Sequence, residues 1–361
     1  RLTCCDYNNK KKDGLFASTP SASGSRLIDA IAAKTRLRSL VLDVSVAFLH
    51  VVEDEDDVLM WPPPQFEDPV LGWDVVWILR KRLYGRRNAP AGWQDLLASI
   101  VLLHGLTRSA HDPTIFGDAA RQLYLSAHVD DIHIVGPDSE IDELVRVLGE
   151  NLLIKASPKY GIGDDYEILK AMRQRRPEGT YITPSTKYGD DVITALELGN
   201  STTTARPGLG LTACDDDDKE VDEATGSLYR QCVGKLLYLS HYRFDIQFVV
   251  RQLCKKLRSP DGISMRRLRH LAKYLKGTRE MSLFFPSEGE LSDIKVYVDS
   301  DWAGDPETRH SCSGGIVMLG GCPMQSWSRG QTVAAQSSGE AEFYAIVCGT
   351  GEGLSLSILH I

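Results

Sequence analysis

Residues 126–136, SAHVDDIHIVG, set two adjacent aspartates, Asp130 and Asp131, inside a largely apolar run. Burying an unpaired carboxylate is costly, and two side by side repel each other as well. Two local solutions exist. The pair can sit in a polar hairpin turn, where Asp is a common residue. It can also line a divalent-metal site, where a cation offsets the repulsion. In both, QLYLSAHVDDIHIVG reads as two strands with the aspartates near the turn.

A third carboxylate has a similar setting. RSLVLDVSVAFLH (38–50) begins like a buried strand and reaches Asp43. Three carboxylates gathered at one point can hold two divalent metals about 3.5–4 Å apart, which clamp both oxygens of a phosphoryl transfer. Carboxylates that leave coordination positions to water and substrate phosphate suit Mg²⁺. Strands and helices alternate around these residues. AGWQDLLASIVLLHG reads as a helix behind Pro90 and closed by Gly105. In DSEIDELVRVLGENLL, residues Ile141, Leu144, Val145, Leu148 and Leu152 keep helical spacing, with Asp138 or Ser139 as N-cap.

Net charge is −8 over 361 residues, enough chain for two or three domains. The charge is unevenly spread. Between Tyr229 and Glu280 thirteen Lys or Arg face three acids, a local +10, so the remainder carries −18. Ile246, Val249, Val250, Leu253 and Leu257 form one apolar stripe, and Met265, Leu268, Leu271, Ala272 and Leu275 a second. Arg251, Lys255, Lys256, Arg266, Arg267, Arg269, Lys273 and Lys276 fall largely outside them, giving each helix a cationic front suited to phosphates. Solvated helix faces would show the same pattern. Acid concentrates in VEDEDDV (52–58) and CDDDDKEVDE (214–223), and the stretch Thr202–Gly226 reads as a linker, with Cys214 in solvated acid rather than a metal loop. From Ile294 a strand-like IKVYVD leads through Gly-rich hairpins to a helix over SSGEAEFYAIVCG. Eight cysteines, Cys4 and Cys5 adjacent and the others scattered without C-x-x-C spacing, suggest reduced thiols of an intracellular protein, with the compartment (cytoplasmic particle or nucleus) left open. His104, His111, His241, His270 and His310 form no organised site. No apolar run approaches a membrane span, the polar RLTCCDYNNKKKDG does not look like a signal peptide, and the missing initiator Met suggests a piece of something longer.

The order LDVSVAFLH, VLMWPPPQFEDP, WILRKRLYGRRNAPAGW, DPTIFG and HVDDIHIVG resembles the reverse transcriptase of copia-type retrotransposon polyproteins. YRQCVGKLLYLSHYRFDI and LAKYLKGT look like the segment that follows it, and VDSDWAGDPETRHSCSGG with SSGEAEFYAI like the opening of a ribonuclease H domain. The resemblance implies an α+β fold: reverse-transcriptase fingers and palm over 1–205, a basic helical thumb or connection over 206–287, and a truncated ribonuclease H-like α/β domain over 288–361. It implies an RNA-directed DNA polymerase that adds deoxynucleoside triphosphates to a DNA primer on an RNA template. It would use two Mg²⁺ ions (Mn²⁺ as substitute) and sit downstream of protease and integrase regions, with no membrane role.

Under the resemblance, Asp43, Asp130 and Asp131 are the polymerase metal ligands, and backbone near Ala47 meets the triphosphate. Phe48 floors the nucleotide pocket and excludes a 2′-hydroxyl, while Tyr84, Gly85, Arg86 and Arg87 lie near template or nucleotide. Arg251, Lys255, Lys256, Arg266, Arg267, Lys273 and Lys276 track duplex phosphates. Asp299 and Glu342 match two carboxylates of a ribonuclease H site, with Glu340 the rival for the second place. Ala345, Ile346 and Gly349 give Glu342 a small, apolar face to lie on a sheet. Two ligands are too few for ribonuclease H activity. Three positions depart from the family pattern: His128 for Tyr, Asn88 for Gln and Phe244 for Pro. A decayed copy that binds nucleic acid without polymerising is the alternative.

Overall fold

Alternation of burial from Leu40 to Val44 marks Arg38–Val44 as a strand, β1, with Leu40, Leu42 and Val44 in the core and Val41 and Asp43 on the other face. The computed structural model describes residues 3–4, 6, 14–54, 58–209, 219–305 and 307–358. Residues 210–218 of the expected acidic linker, Cys214 among them, lie outside the described residues, as does part of VEDEDDV, and the linker's end is helical from Glu223. Two units form. One takes residues up to Ile28 with Leu37–Gly161; the other takes Asp29–Arg36 with Ile162–Ser357.

Helix α1 (Ala22–Thr35) precedes β1. After them come the paired β2 (Leu59–Met60) and β3 (Trp77–Ile78), helix α2 (Ala89–Leu103), then β4 (Thr107–Arg108) and β5 (Ile115–Asp118). Strands β6 (Leu123–His128) and β7 (Asp131–Gly136), helix α3 (Asp138–Asn151) and β8 (Ile154–Ala156) complete the unit. Its main sheet has the order β4-β5-β6-β7-β1-β8. Leu42 opposes Ile132 and Leu40 opposes Ile134, all but Leu40 fully buried. Burying each such side chain contributes roughly 1.5–3 kcal/mol, which pins the register, because a one-residue slip would turn the aspartates inward. Helix α2 starts at Ala89 with Pro90 in its first turn, and ends before Gly105, whose φ of +95° few other residues adopt. Helix α3 buries Ile141, Leu144 and Leu148 as its spacing predicts, but its N-cap is Pro137, so Asp138 already lies in the first turn, where its charge suits the helix dipole.

The second unit departs from the expected division. Strands β9 (Asp165–Ile168), β10 (Ala171–Arg176) and β11 (Gly179–Pro184) form a sheet that β12 (Leu283–Pro286) completes, in the order β12-β11-β10-β9. Thr180 pairs with Phe285 and Ile182 with Leu283, so this sheet crosses the boundary expected at 205. Asp29 and Arg173, 1% and 3% exposed, form a two-pronged ion pair at 3.2 and 3.0 Å. Helices α4 (Lys187–Ala195), α5 (Glu223–Leu239), α6 (Gln247–Cys254) and α7 (Gly262–Gly277) share one core, in which both predicted apolar stripes are buried or partly buried. A reciprocal Asp261–Ser264 capping box starts α7. Finally β13 (Ile294–Ser300), β14 (Cys312–Leu319) and β15 (Cys322–Gly330) form a three-stranded sheet followed by α8 (Ser338–Ser357). Helix α8 buries Ala341, Ala345, Gly349 and Gly353, and a Cβ on Gly349 would come within 2.3 Å of Val298. Among the described residues no helix is long and apolar enough to cross a membrane. The described cysteines, Cys4, Cys232, Cys254, Cys312, Cys322 and Cys348, are free thiols.

Candidate active site

Register brings Asp43 and Asp131 directly opposite each other on β1 and β7. The Val44 N–H donates to the Asp130 carbonyl at 2.9 Å. Alternation then makes Asp43–Asp131 a non-hydrogen-bonded pair, the kind whose Cα atoms approach to about 4.5 Å and whose side chains lie closest. Both are half-buried on the face away from the core. The row continues on either side: His128 opposes Asp131, and Lys155 on β8 opposes Asp43. Because Ile154 packs on the core, Lys155 shares the carboxylates' face. The order across four strands is His128, Asp131, Asp43, Lys155.

The expected meeting of three carboxylates is thus met by two. Asp130 occupies the two-residue turn between β6 and β7, one position out of step with Asp131. Among the described residues no group of three or more His, Cys, Asp or Glu side chains gathers closely enough to hold a metal. Two facing carboxylates, all-oxygen and partly open, still fit Mg²⁺, which takes one or two carboxylates and leaves other positions to water and phosphate.

Strain frames this pair. Nine described non-glycine residues have positive φ, and the β-branched ones are Val46 (+51°), three residues after Asp43, and Val129 (+56°), immediately before Asp130. A β-branched side chain in that region costs of order 1–3 kcal/mol, and such residues concentrate at functional sites. Both valines are exposed, at 39% and 42%. Val46 launches the 3-10 turn Ala47–His50. Ala47 is buried there, and the Phe48 ring lies 4.8 Å from that of Tyr84. Phe48, Trp93, Ala127 and Val129 help line an apolar cavity of about 130 Å³ behind the turn. The Trp93 indole N–H donates to the Val129 carbonyl at 2.6 Å.

The charges of the LYGRR segment are held by other parts of the first unit. Gly85 takes φ +93°, and a Cβ there would strike the Cys4 carbonyl at 2.0 Å. Arg86 bonds Asp6 at 2.9 Å and Glu53 at 3.2 Å, and Arg87 reaches Asp6 through its backbone N–H at 3.1 Å. These arginines anchor the loop to acids far away in sequence. Asn88 is buried and donates to Glu53 at 3.1 Å.

Much of the cationic front is likewise engaged. Lys255 pairs with Asp305, and this ammonium holds the Asp305 carboxyl far below the usual carboxylate range. Lys256 meets Asp261 and Glu307, each at 3.3 Å. Lys276 donates to the carbonyls of Gly199 and Ser201, and Arg251 to the Cys312 sulfur at 3.3 Å. Arg266 is half-buried. Arg267 and Lys273 have no ion-pair partner among the described residues.

Asp299 and Glu342 are placed differently from expectation. Helix α8 lies on Val296 and Val298, so Asp299, one residue on, leaves the sheet on the opposite face. There, with Phe244, Phe248 and Tyr297, it lines a cavity of about 560 Å³. Ile346 is 52% exposed: the buried stripe of α8 runs through 341, 345 and 349, which leaves Ile346 pointing outward and Glu342 at the margin. Glu340 accepts from the Tyr344 hydroxyl at 3.1 Å and from the Gln336 N–H at 2.8 Å.

Sequence reasoning missed Lys155, Trp93 and Glu53. Only strand register could place Lys155. Trp93 stood inside a motif, but its partner lies 36 residues away.

A family model described as reverse transcriptase (RNA-dependent DNA polymerase) matches residues 6–207, which hold the whole carboxylate row and neither Asp299 nor Glu342. A retrovirus-related Pol polyprotein from transposon RE1 of Arabidopsis thaliana is 30% identical over 359 residues, 96% of this chain and 23% of that protein. The corresponding polyproteins from transposon RE2 of the same plant and transposon TNT 1-94 of Nicotiana tabacum are 28% and 27% identical, each over 96% of the chain. The chain spans about a quarter of the length of these relatives.

Proposed function

The chain belongs to the reverse transcriptase (RNA-dependent DNA polymerase) family, and we propose that it carries out template-directed addition of deoxynucleotides to a primer 3′-end, as the polymerase part of a copia-type Pol polyprotein. The observation that carries this reading is the direct opposition of Asp43 and Asp131 on neighbouring strands, with Asp130 in the adjoining turn. These residues would hold Mg²⁺, which when bound lowers the pKa of the primer hydroxyl and neutralises charge on the triphosphate. The protein's own part is placement. The register sets two carboxylates a side chain's reach apart, and Lys155 brings a cation beside Asp43 to complement triphosphate charge. Phe48, which shares the cavity wall with Val129, would press on a nucleotide sugar. The basic helices would hold template–primer duplex through Arg267 and Lys273, with Lys255 and Lys256 recruited only by exchanging carboxylate partners for phosphates.

Primer extension on RNA and DNA templates with Mg²⁺ tests the reading. Wild-type protein should extend, Asp43→Asn should not, and Phe48→Val should admit ribonucleotides. Folded wild-type protein that binds duplex without extending it would instead support the alternative of a nucleic-acid-binding fragment.

A further inference from the structure

Val129 occupies the first position of a two-residue hairpin turn that normally favours glycine there. A valine stays in that conformation only if its surroundings hold it. Two donors grip the turn: the Val44 N–H takes the Asp130 carbonyl from β1, and the Trp93 indole takes the Val129 carbonyl from α2. The indole is 3% exposed, and its helix start is fixed in turn. The Arg82 guanidinium donates to the Asn88 carbonyl at 2.7 Å and leaves no room for a Cβ on Gly92, the nearest atom lying 1.9 Å away. Behind the turn lies the apolar cavity lined by Phe48, Trp93 and Val129. Released from the indole, Val129 has space in which to relax to an ordinary backbone conformation, carrying Asp130 and Asp131 with it.

We propose that Trp93 is a positioning residue that acts through the Val129 carbonyl to hold the strained turn, and hence both aspartates, in the reactive arrangement. The proposal deepens the polymerase reading and rests on it for its kinetic consequence, but its structural consequence stands alone. Trp93→Phe keeps an aromatic ring in the core and removes the N–H. Nucleotide addition should then slow by about 10- to 100-fold in kcat, the scale of an ångström-sized misplacement, with KM for the triphosphate little changed. In a Val129→Gly background the same substitution should cost much less, since glycine adopts positive φ without steric penalty. A residue that merely fills the core would lose the same factor in both backgrounds.

Amide hydrogen exchange separates this idea from the polymerase reading. Exchange at Val44, whose N–H is held by the turn, should accelerate in Trp93→Phe and return toward the wild-type rate in Trp93→Phe/Val129→Gly. Unchanged Val44 exchange in Trp93→Phe overturns the proposal whether or not the chain polymerises, as do equal kinetic losses in the two backgrounds. Absence of extension by wild-type protein, with the exchange pattern as described, overturns the polymerase reading and leaves the turn-holding role standing.

Discussion

Neutralising one carboxylate of the facing pair should stabilise the first unit when no metal is present. Asp43 and Asp131 oppose each other on β1 and β7, and with charges about 5 Å apart Coulomb's law gives roughly 0.8 kcal/mol of repulsion at the dielectric of water and about 3 kcal/mol at an effective dielectric near 20. Both are half-buried, so a value of about 1–2 kcal/mol follows. Lys155 attracts Asp43 equally in both proteins, while its weaker pull on Asp131, one strand farther off, is lost in the variant and draws the net toward the lower end of that range. At about 2–4 °C per kcal/mol for a unit of this size, Asp131→Asn should raise the melting temperature of the first unit by roughly 2–8 °C in chelator. Mg²⁺ reverses the comparison: a tenfold excess over its dissociation constant stabilises wild type by about 1.4 kcal/mol, a gain that the variant should largely lack. Differential scanning calorimetry in chelator and in Mg²⁺ makes the measurement. Asp131→Asn melting lower than wild type in chelator, or Mg²⁺ raising both alike, would refute the idea that two like charges face each other to receive a cation.

Three other consequences concern the second unit. Asp29→Ala strands the Arg173 guanidinium in the core and should cost about 3–5 kcal/mol in its denaturant unfolding. At Asp245, burial pushes the carboxyl pKa up, but the hydrogen bonds and charge of Arg243, with the Tyr274 hydroxyl, outweigh it and hold the group below its ordinary value. The stability this contributes is complete above the unfolded pKa of about 3.9 and is lost as pH falls through the lower folded value. Thermal melts should therefore show an acid limb that Asp245→Asn flattens while lowering stability near neutrality. Replacing Asp305 and Glu307 together by Asn and Gln should free Lys255 and leave Lys256 with Asp261 alone, tighten binding to hybrid duplex and steepen its salt slope by about 0.9 for each additional phosphate neutralised. An unchanged slope in that double variant would mean that these lysines face no nucleic acid.

How much of this was legible depended on the range of the signal. The β6–β7 hairpin, β1, and the stripes of α3, α6 and α7 were readable because burial follows local periodicity: Leu40, Leu42 and Val44 alternate, and Ile141, Leu144 and Leu148 recur at helical spacing. Features set by distant partners were not. Pairing of β11 with β12, across about 100 residues, moved the unit boundary from the expected 205 to Gly161. The ion pairs of Arg86 were unreadable because Asp6 and Glu53, its partners, are remote in sequence. Glu342 was assigned to a face that α8 reaches only at its margin, since a shift of one residue turns a side chain about 100° round a helix. Val129 was unreadable for another reason. Valine is a poor residue for positive φ, and only tertiary contacts such as the Trp93 bond explain its place there.

The most direct test counts bound cations. Manganese electron paramagnetic resonance, with primer–template and a deoxynucleoside triphosphate present, reports ions held by the protein's carboxylates. The account predicts specific Mn²⁺ binding in the wild type that is weakened severely by Asp43→Asn and by Asp131→Asn. Wild-type-like Mn²⁺ binding in both variants would contradict it.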